Sequence, residues 1–240
     1  MSTLLVLGSK PQPRLPRPGG FDALACANAS GRSAARYGLG SAELTAMSAI
    51  LTSGHKEANH LALEALRGLR TGSLHFYPRH APKGSPLRRA VHHARNFRMK
   101  PWYFRRTLRA CGYQWDQFCN PGLDHCLRLF AELSGNDPEV IAQMQLKQPS
   151  TGMLSLAAGI ELGRWSRFVL AGFSFEITHD YAQNPLVGER GALSRHADTD
   201  VALLRAMGRR VAGLCTTEPI VHERTGLPLL PESSLLPADG

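Results

Sequence analysis

The 240-residue sequence lacks the features of secreted and membrane-spanning proteins. It has no CxxC pair, and its five cysteines are an odd number, so we expect no disulfide framework. No apolar run approaches the roughly 18 residues of a transmembrane helix. The first residues, MSTLLVLGSKP, carry neither a basic residue ahead of LLVL nor a cleavage region, so we expect no signal peptide. These absences together predict a cytoplasmic protein.

The best-known nucleotide and zinc motifs are also missing. Neither GxGxxG nor GxxxxGKS occurs, so a nucleotide site would have to be built differently. Cys119, His125 and Cys126 lie close together, but their spacing fits no common zinc pattern. Buried free thiols are the simpler interpretation of these cysteines.

Acidic residues are absent from one long stretch, Ala65 to Trp115, which carries much of the net charge of +9. Its basic residues are Arg67, Arg70, Arg79, Lys83, Arg88, Arg89, Arg95, Arg98, Lys100, Arg105, Arg106 and Arg109. Such a segment suits an anionic partner, which leaves nucleic acid, phospholipid headgroups and an acidic glycan open. A basic face that contacts only solvent is the alternative.

Apolar runs that alternate with helical patterns predict an α/β fold, a Rossmann-like doubly wound and mainly parallel sheet. The predicted strands are 3–8, 21–28, 45–54, 73–78, 166–175 and 210–216, and the predicted helices are 55–69, 122–134, 151–162 and one that Asp198 or Thr199 caps. We expect one domain over 1–240, with a basic helical insertion or lid at 79–110 and a partly ordered tail at 228–240. Ligands of such sheets bind beyond the carboxyl ends of the strands.

Ser150-Thr151-Gly152 is a polar turn that opens a helix of small residues. Free backbone N–H groups and the helix dipole at such a turn suit a phosphate or a carboxylate. Taken alone, an ordinary N-cap explains the turn as well. Gly8-Ser9, which follows the first predicted strand, presents a similar turn.

Five short motifs occur in an order that resembles a known family. They are the GSKP turn at 8–11, Asn28 at a strand end, Ser150-Thr151-Gly152, the strand end Gly172-Phe173-Ser174-Phe175, and His196 ahead of Asp198-Thr199-Asp200. In this order they resemble the bacterial sialyltransferases that build lipooligosaccharide outer cores, and more widely the sialyltransferase superfamily. The resemblance covers 3–54 and 147–217. It implies a GT-A-like variant of the predicted sheet.

The resemblance implies an inverting glycosyltransferase that moves a 2-keto sugar acid, sialic acid or a Kdo-like sugar, from a CMP donor to a surface-glycan acceptor. It assigns donor binding to Gly8, Ser9, Asn28, Ser150, Thr151, Gly152 and Phe173. Asn28 has a second interpretation, as a turn residue that ends a strand. No cofactor and no metal are expected, because a CMP donor carries a single phosphate. Asp198-Thr199-Asp200 fits a DxD metal motif, but a helix cap is the plainer account.

Transfer requires a base for the acceptor hydroxyl, and histidine suits that role near neutral pH. The resemblance points to His196, and His179 is the rival. The relatives use tyrosine hydroxyls at the departing phosphate, and Tyr181 lies near the expected place. The position of the family's second tyrosine falls near Glu176. His179 is the candidate to replace that tyrosine at the departing phosphate.

The expected partners follow from these assignments. They are a CMP-activated sugar, a glycan or lipid-linked acceptor of lipopolysaccharide or capsule synthesis, and an anionic surface that would hold the protein peripherally on the inner membrane. No nucleic acid is expected, and a homo-oligomer stays open. Two alternatives remain: a nucleic-acid-binding protein that uses Trp102, Tyr103 and Phe104 within the basic segment, and a catalytically idle scaffold of the same fold.

Overall fold

The structure is a computed structural model, which describes residues 2–54, 57–79, 85, 91, 94, 96–177 and 193–237. These residues form a seven-stranded sheet in which every neighbouring pair is parallel. Its strands are β1 Thr3–Leu7, β2 Ala23–Ala27, β3 Ala42–Ser48, β4 Arg70–Tyr77, β5 Gln114–Cys119, β6 Arg167–Ala171 and β7 Leu214–Thr216. The prediction of a doubly wound parallel sheet is confirmed.

The central strands are buried on both faces. All five residues of β1 are buried, and they alternate between two layers of the core. Leu4 and Val6 pack into one apolar cluster, and Leu5 and Leu7 into another on the opposite face. Continuous apolar runs are typical of parallel sheets that helices cover on both sides. For this reason the strands lack an alternating polar pattern.

The described helices flank this sheet. They are α1 Gly31–Arg36, α2 Glu57–Ala65, α3 Pro101–Ala110, α4 Leu123–Leu133, α5 Pro138–Leu146, α6 Thr151–Glu161, α7 Ala197–Gly208 and α8 Pro219–Thr225. Helix α6 lies against β2 and β3, and its small residues let it approach closely. A Cβ on Gly159 would stand 2.4 Å from Cδ2 of Leu4. The run TGMLSLAAG therefore forms a helix that is buried over most of its surface.

The strand order β5-β4-β3-β2-β1-β6-β7 places a topological switch point between β1 and β6. The chain runs outward from β1 to β5 and then returns to the other side of β1. Connections leave β1 and β6 in opposite directions, which opens a crevice at their carboxyl ends. The fold therefore directs attention to the loops that follow Leu7 and Ala171.

The cap predicted for helix α7 is wrong. The helix begins at Ala197 with His196 at the N-cap, so Asp198 and Thr199 lie inside its first turn. The side chain of Thr199 donates instead to the carbonyl of Lys147, at 3.0 Å. The predicted strands at 45–54, 166–175 and 210–216 are also too long, because turns follow Ser48 and Ala171 and β7 begins only at Leu214.

Several elements were not predicted from the sequence: α1, α5, α8 and strand β5. Strand β5, QWDQFC, is the outer strand of the sheet and pairs only with β4 among the described strands. Its residues are exposed or half-buried, so it lacks the apolar run by which the inner strands were recognised. An outer strand has one partner and one open edge, and its composition reflects that position.

The predicted basic insertion, 79–110, contains helix α3, and most of its other residues lie outside the described ones. Phe104 and Leu108 of α3 are fully buried. The opposite face presents Trp102, Arg105, Arg106 and Arg109, all exposed. The helix is thus anchored to the sheet by its apolar side and displays its cations outward. Within the described ranges, no helix is long and apolar enough to span a membrane.

The C-terminal segment packs on the sheet as far as it is described, to residue 237. The N–H of Leu230 donates to the carbonyl of Thr216 at 2.8 Å, and that of Leu236 donates to Leu15 at 2.9 Å. Leu235 is buried. The five cysteines are all free thiols, and Cys26, Cys126 and Cys215 are buried.

Candidate functional site

A cavity of about 580 Å³ lies at the carboxyl ends of the strands. The sequence-predicted residues that line it are Gly8, Ser9, Asn28, Ser150, Thr151, Gly152, Phe173 and His196. Five separate segments of the chain supply them, so the fold brings together residues that are far apart in sequence. His179 and Tyr181 lie outside the described residues. The chemical roles of all ten stay predictions.

The loop after β1 crosses the loop after β6 at very short range. A Cβ on Gly8 would stand 2.2 Å from the carbonyl oxygen of Gly172, which no side chain tolerates. The N–H of Gly8 donates to Ala171 at 2.8 Å, and the N–H of Lys10 donates to Gly172 at 3.0 Å. Gly8 is therefore required by this crossing, independently of any ligand.

Glu218 joins the two crossing loops, and sequence reasoning missed it. Its side chain is fully buried and accepts hydrogen bonds from the N–H groups of Gly172, at 2.9 Å, and Arg14, at 3.0 Å. Its other carboxylate oxygen pairs with the ammonium of Lys10. The available sequence signal was an acid two residues after a buried strand, immediately ahead of the Pro219 that starts α8.

Asn28 ends β2 in a left-handed conformation, with φ of +50°. Its N–H donates to Ala46 at 2.8 Å, and its side-chain oxygen accepts from the N–H of Ser48 at 3.0 Å. The residue therefore shapes the turn. Its side-chain NH₂ group is the part that can donate to a ligand in the cavity.

The Ser150 turn is an N-cap whose polar groups are largely committed. The hydroxyl of Ser150 accepts from Met153 N–H at 3.4 Å, and its own N–H donates to Asp200 Oδ1 at 2.8 Å. The next N–H groups, those of Thr151 and Gly152, begin the helix and have no partner within it. A Cβ on Gly152 would stand 2.7 Å from the Phe173 ring, so Phe173 packs directly against the turn. The site can hold an anion with backbone N–H groups and the helix dipole.

Asp200 is a buried carboxyl directly behind this helix start. Burial raises its pKa to about 7, although the hydrogen bonds from Ser150 oppose the change. The carboxyl is therefore largely uncharged at slightly acidic pH and partly charged at neutral pH. A neutral Asp200 repels a bound anion less than a carboxylate would.

The Asp-Thr-Asp triplet does not form a cation site between its two carboxylates. Asp198 is 80% exposed and lies 3.8 Å from a guanidinium nitrogen of Arg224, whereas Asp200 is buried against Ser150. Among the described residues, no three His, Cys, Asp or Glu side chains are grouped as a metal would require. That the protein needs no metal stays a prediction.

His196 is held in one tautomer by the link that leads into α6, which consists of residues 147–150. Its Nδ1 lies 2.7 Å from the carbonyl of Gln148, and since a carbonyl only accepts, Nδ1 carries the proton. The neutral ring therefore has its lone pair on Nε2. Burial lowers the pKa of His196, and nearby Lys147 and Arg79 lower it further, while the Gln148 carbonyl opposes them. The imidazole is thus neutral at physiological pH and able to accept a proton.

Side chains from other elements hold each residue of this link, 147–150. Thr199 donates to the carbonyl of Lys147, His196 to Gln148, and the hydroxyl of Tyr77 to Pro149 at 3.1 Å. Asp200 accepts from the N–H of Ser150, as described above. The first turn of α7 thereby fixes the histidine and the start of α6 relative to each other. Tyr77 and Thr199 were not predicted as site residues.

Arg79 lines the cavity near His196 and was noted in the sequence only as part of the basic segment. Arg79 and Arg195 lie close enough to Lys147 for their positive charges to lower the pKa of that lysine, after the larger effect of its burial. The charges of Lys147 and Arg79 disfavour the protonated form of His196. They also make this part of the cavity attractive to anions.

Comparison with known proteins finds similarity in structure. No protein-family model matches the chain, and no curated protein is significantly similar to it in sequence. A variant of the sialyltransferase Cst-II in complex with CMP is 12% identical over 98% of this chain and 88% of that one, with a TM-score of 0.55.

Two further structures of that enzyme are similar to this chain. Cst-II with a trisaccharide acceptor and CMP is 13% identical over 97% of this chain and 88% of that one, with a TM-score of 0.51. CstII from Campylobacter jejuni with the substrate analogue CMP-3FNeuAc is 15% identical over 98% of this chain and 87% of that one, with a TM-score of 0.50. At such identities the likeness shows a shared fold, and the predicted GT-A-like variant of the sheet is confirmed.

The buried carboxyl of Asp200 predicts a pH-dependent stability. Its pKa is about 7 in the folded chain against an ordinary value of 3.8, so its contribution is complete below pH 3.8 and is lost as pH rises through 7. Asp200→Asn cannot ionise and keeps an acceptor for Ser150. Relative to the wild type it should therefore gain stability between pH 4 and 7, by at most about 4 kcal/mol.

Urea unfolding at several pH values measures this difference. Asp198→Asn, two residues away and exposed, is the matched control and should show no comparable change across the same range. Parallel pH profiles for the two variants would contradict the assignment of a raised pKa to Asp200.

Proposed function

We propose that the protein is an inverting glycosyltransferase that moves a 2-keto sugar acid, sialic acid or a Kdo-like sugar, from a CMP donor to a surface-glycan hydroxyl. The observation that carries the proposal is the geometry of one cavity. In it a histidine with a fixed tautomer and a lone pair on Nε2 lies beside a helix start that suits an anion. The fold, shared with a sialyltransferase in complex with CMP, supports the same function.

The helix start of α6 is proposed to bind the anionic groups of the donor. The N–H groups of Thr151 and Gly152 would receive its carboxylate or phosphate, and the Asn28 amide would donate to phosphate or ribose oxygens. Gly8 and Ser9 present the neighbouring loop, and Phe173 supports the turn from behind. The single phosphate of a CMP donor needs no metal ion to bind here.

His196 is proposed to be the general base. Its Nε2 takes the proton of the acceptor hydroxyl as that oxygen bonds to the anomeric carbon. The bond from that carbon to the phosphate oxygen breaks, and its electron pair leaves with CMP. Attack opposite the leaving group inverts the configuration. Tyr181 is proposed to donate to the departing phosphate, and His179 remains the rival base or second donor.

Donor selectivity tests the function directly. Thermal unfolding should be shifted upward by CMP, by roughly 5–10 °C at a concentration of about 100 Kd. UDP and GDP should have little effect, and EDTA should not alter the response to CMP. Stabilisation by UDP in the absence of any effect of CMP would rule the proposal out. A hydrolysis assay with CMP-linked sialic acid and CMP-linked Kdo would then identify the sugar.

His196→Ala should lower turnover by roughly 10²–10⁴-fold, because the acceptor hydroxyl loses its base. CMP affinity should hardly change. His222→Ala is the matched control, since His222 Nδ1 makes the same contact to a carbonyl, that of Leu227 at 2.7 Å, outside the cavity. The pKa of His196 is lowered, so protonation of this base should reduce wild-type kcat/KM only below the ordinary histidine range.

His179→Ala tests whether His179, and not His196, is the general base. Loss of transfer in that variant, together with near-normal transfer by His196→Ala, would assign the base to His179. Normal turnover in both variants would contradict the base mechanism altogether.

The outward face of α3 is proposed to dock on an anionic lipid surface, which would place the enzyme near a lipid-linked acceptor. Trp102 is 58% exposed beside Arg106 and Arg109, an arrangement suited to the boundary between headgroups and acyl chains. Arg109 also lies over the ring of Trp115, with 5.3 Å between the guanidinium carbon and the ring centre. Each cation near such a surface contributes about 1 kcal/mol.

Vesicle co-sedimentation tests this docking. Arg106→Gln with Arg109→Gln should weaken binding to anionic vesicles roughly 10- to 30-fold, and added salt should weaken the wild type likewise. Arg32→Gln with Arg128→Gln removes equal charge elsewhere and serves as the control. Equal binding to neutral vesicles would contradict the proposal, and tight binding to single-stranded nucleic acid at physiological salt would favour the nucleic-acid alternative.

A further inference from the structure

Lys10 brings a positive charge to the cavity from the loop that carries Gly8 and Ser9. It belongs to the loop after β1, lines the cavity, and keeps 29% of its side chain exposed. Its ammonium pairs with Glu218, whose side chain is fully buried. An ammonium has three donors, and within the described part of the chain Glu218 is its acceptor, so two donors remain for a ligand.

Both the backbone and the side chain of Lys10 are held in place. Its N–H donates to Gly172 at 3.0 Å, and its ammonium is held by Glu218. The same carboxylate accepts from Gly172 N–H at 2.9 Å, so one buried group orients both the side chain and the loop beside it. A cation that is held in place before binding loses little side-chain entropy when an anion arrives.

Contacts connect Lys10 to the proposed anion site. Its partner Gly172 precedes Phe173, and the ring of Phe173 packs against Gly152 at the start of α6. Lys10 thus belongs to the loop that borders the helix start.

We propose that Lys10 binds the phosphate of the donor and stabilises the charge that develops on it as CMP departs. The inference rests on the proposed function and adds to it the residue that contacts the leaving group. When the bond between the anomeric carbon and the phosphate oxygen breaks, both bonding electrons remain on that oxygen. The fixed ammonium supplies positive charge where this negative charge accumulates, and Lys10 itself transfers no proton.

A purely structural role for Lys10 makes a different prediction. If the Lys10–Glu218 pair only tied the loops together, removing it would disturb the cavity for every ligand. A contact to phosphate affects only ligands that carry one. CMP and cytidine differ in this group alone, so their affinities separate the two roles.

The test measures CMP and cytidine binding by calorimetry for the wild type, Lys10→Met and Lys100→Met. Lys10→Met should raise the Kd of CMP about 10- to 100-fold and leave that of cytidine within about twofold. Lys100→Met removes the same charge from the described surface at the start of α3 and should change neither. Turnover with a CMP-linked sugar should fall about 10-fold or more in Lys10→Met alone.

Equal losses for CMP and cytidine in Lys10→Met would overturn the inference and leave Lys10 as a tether. Unchanged CMP binding in that variant would overturn it as well, while the proposed function would stand. A wild type that binds neither ligand would contradict the proposed function and this inference together. Should Lys10→Met fail to fold, Lys10→Gln, which keeps a hydrogen-bonding end without charge, must give the same ratio of affinities.

Discussion

The site depends on a link of four residues, 147–150, that is held at every residue by a side chain from another element. Three of the four contacts come from the first turn of α7, through His196, Thr199 and Asp200. A carbonyl without its donor, or an N–H without its acceptor, would cost free energy in such a buried place. The histidine and the helix start it accompanies therefore cannot move independently. The proposed base and the proposed anion site form one rigid unit, which is what a reaction between two positioned groups requires.

A second buried contact, that of Glu218, fixes the loops on the other side of the cavity. Glu218 accepts from two backbone N–H groups and one ammonium, all from loops distant in sequence. The crossing that it secures is possible only because Gly8 lacks a side chain. Gly8, to which the family resemblance assigns donor binding, thus has a structural requirement of its own. A structural and a ligand-binding explanation of Gly8 are compatible, because the same crossing of the loops brings Lys10 to the cavity.

The sequence predicted the parts of this protein whose pattern is local. Buried strands have continuous apolar runs, and Ser150 precedes a helical pattern, so the central sheet and the start of α6 were recognised. Glu218 and Asp200 acquire their roles through contacts with residues up to 208 and 50 positions away, and no local pattern reports such contacts. The cap assigned to Asp198 or Thr199 failed for this reason: the Thr199 side chain binds a neighbouring segment. Strand β5 was missed because an outer strand lacks the composition of an inner one.

The place of β1 in the sheet has a consequence for synthesis of the chain. Thr3–Leu7 pairs with Arg167–Ala171, so one edge of this strand stays open until residues 167–171 have been made. Until then the growing chain carries an apolar strand with unpaired N–H and C=O groups, the feature through which nascent chains associate wrongly. Contacts of such long range also close slowly. A chaperone that covers this strand during translation would protect the yield of the protein without touching the finished fold.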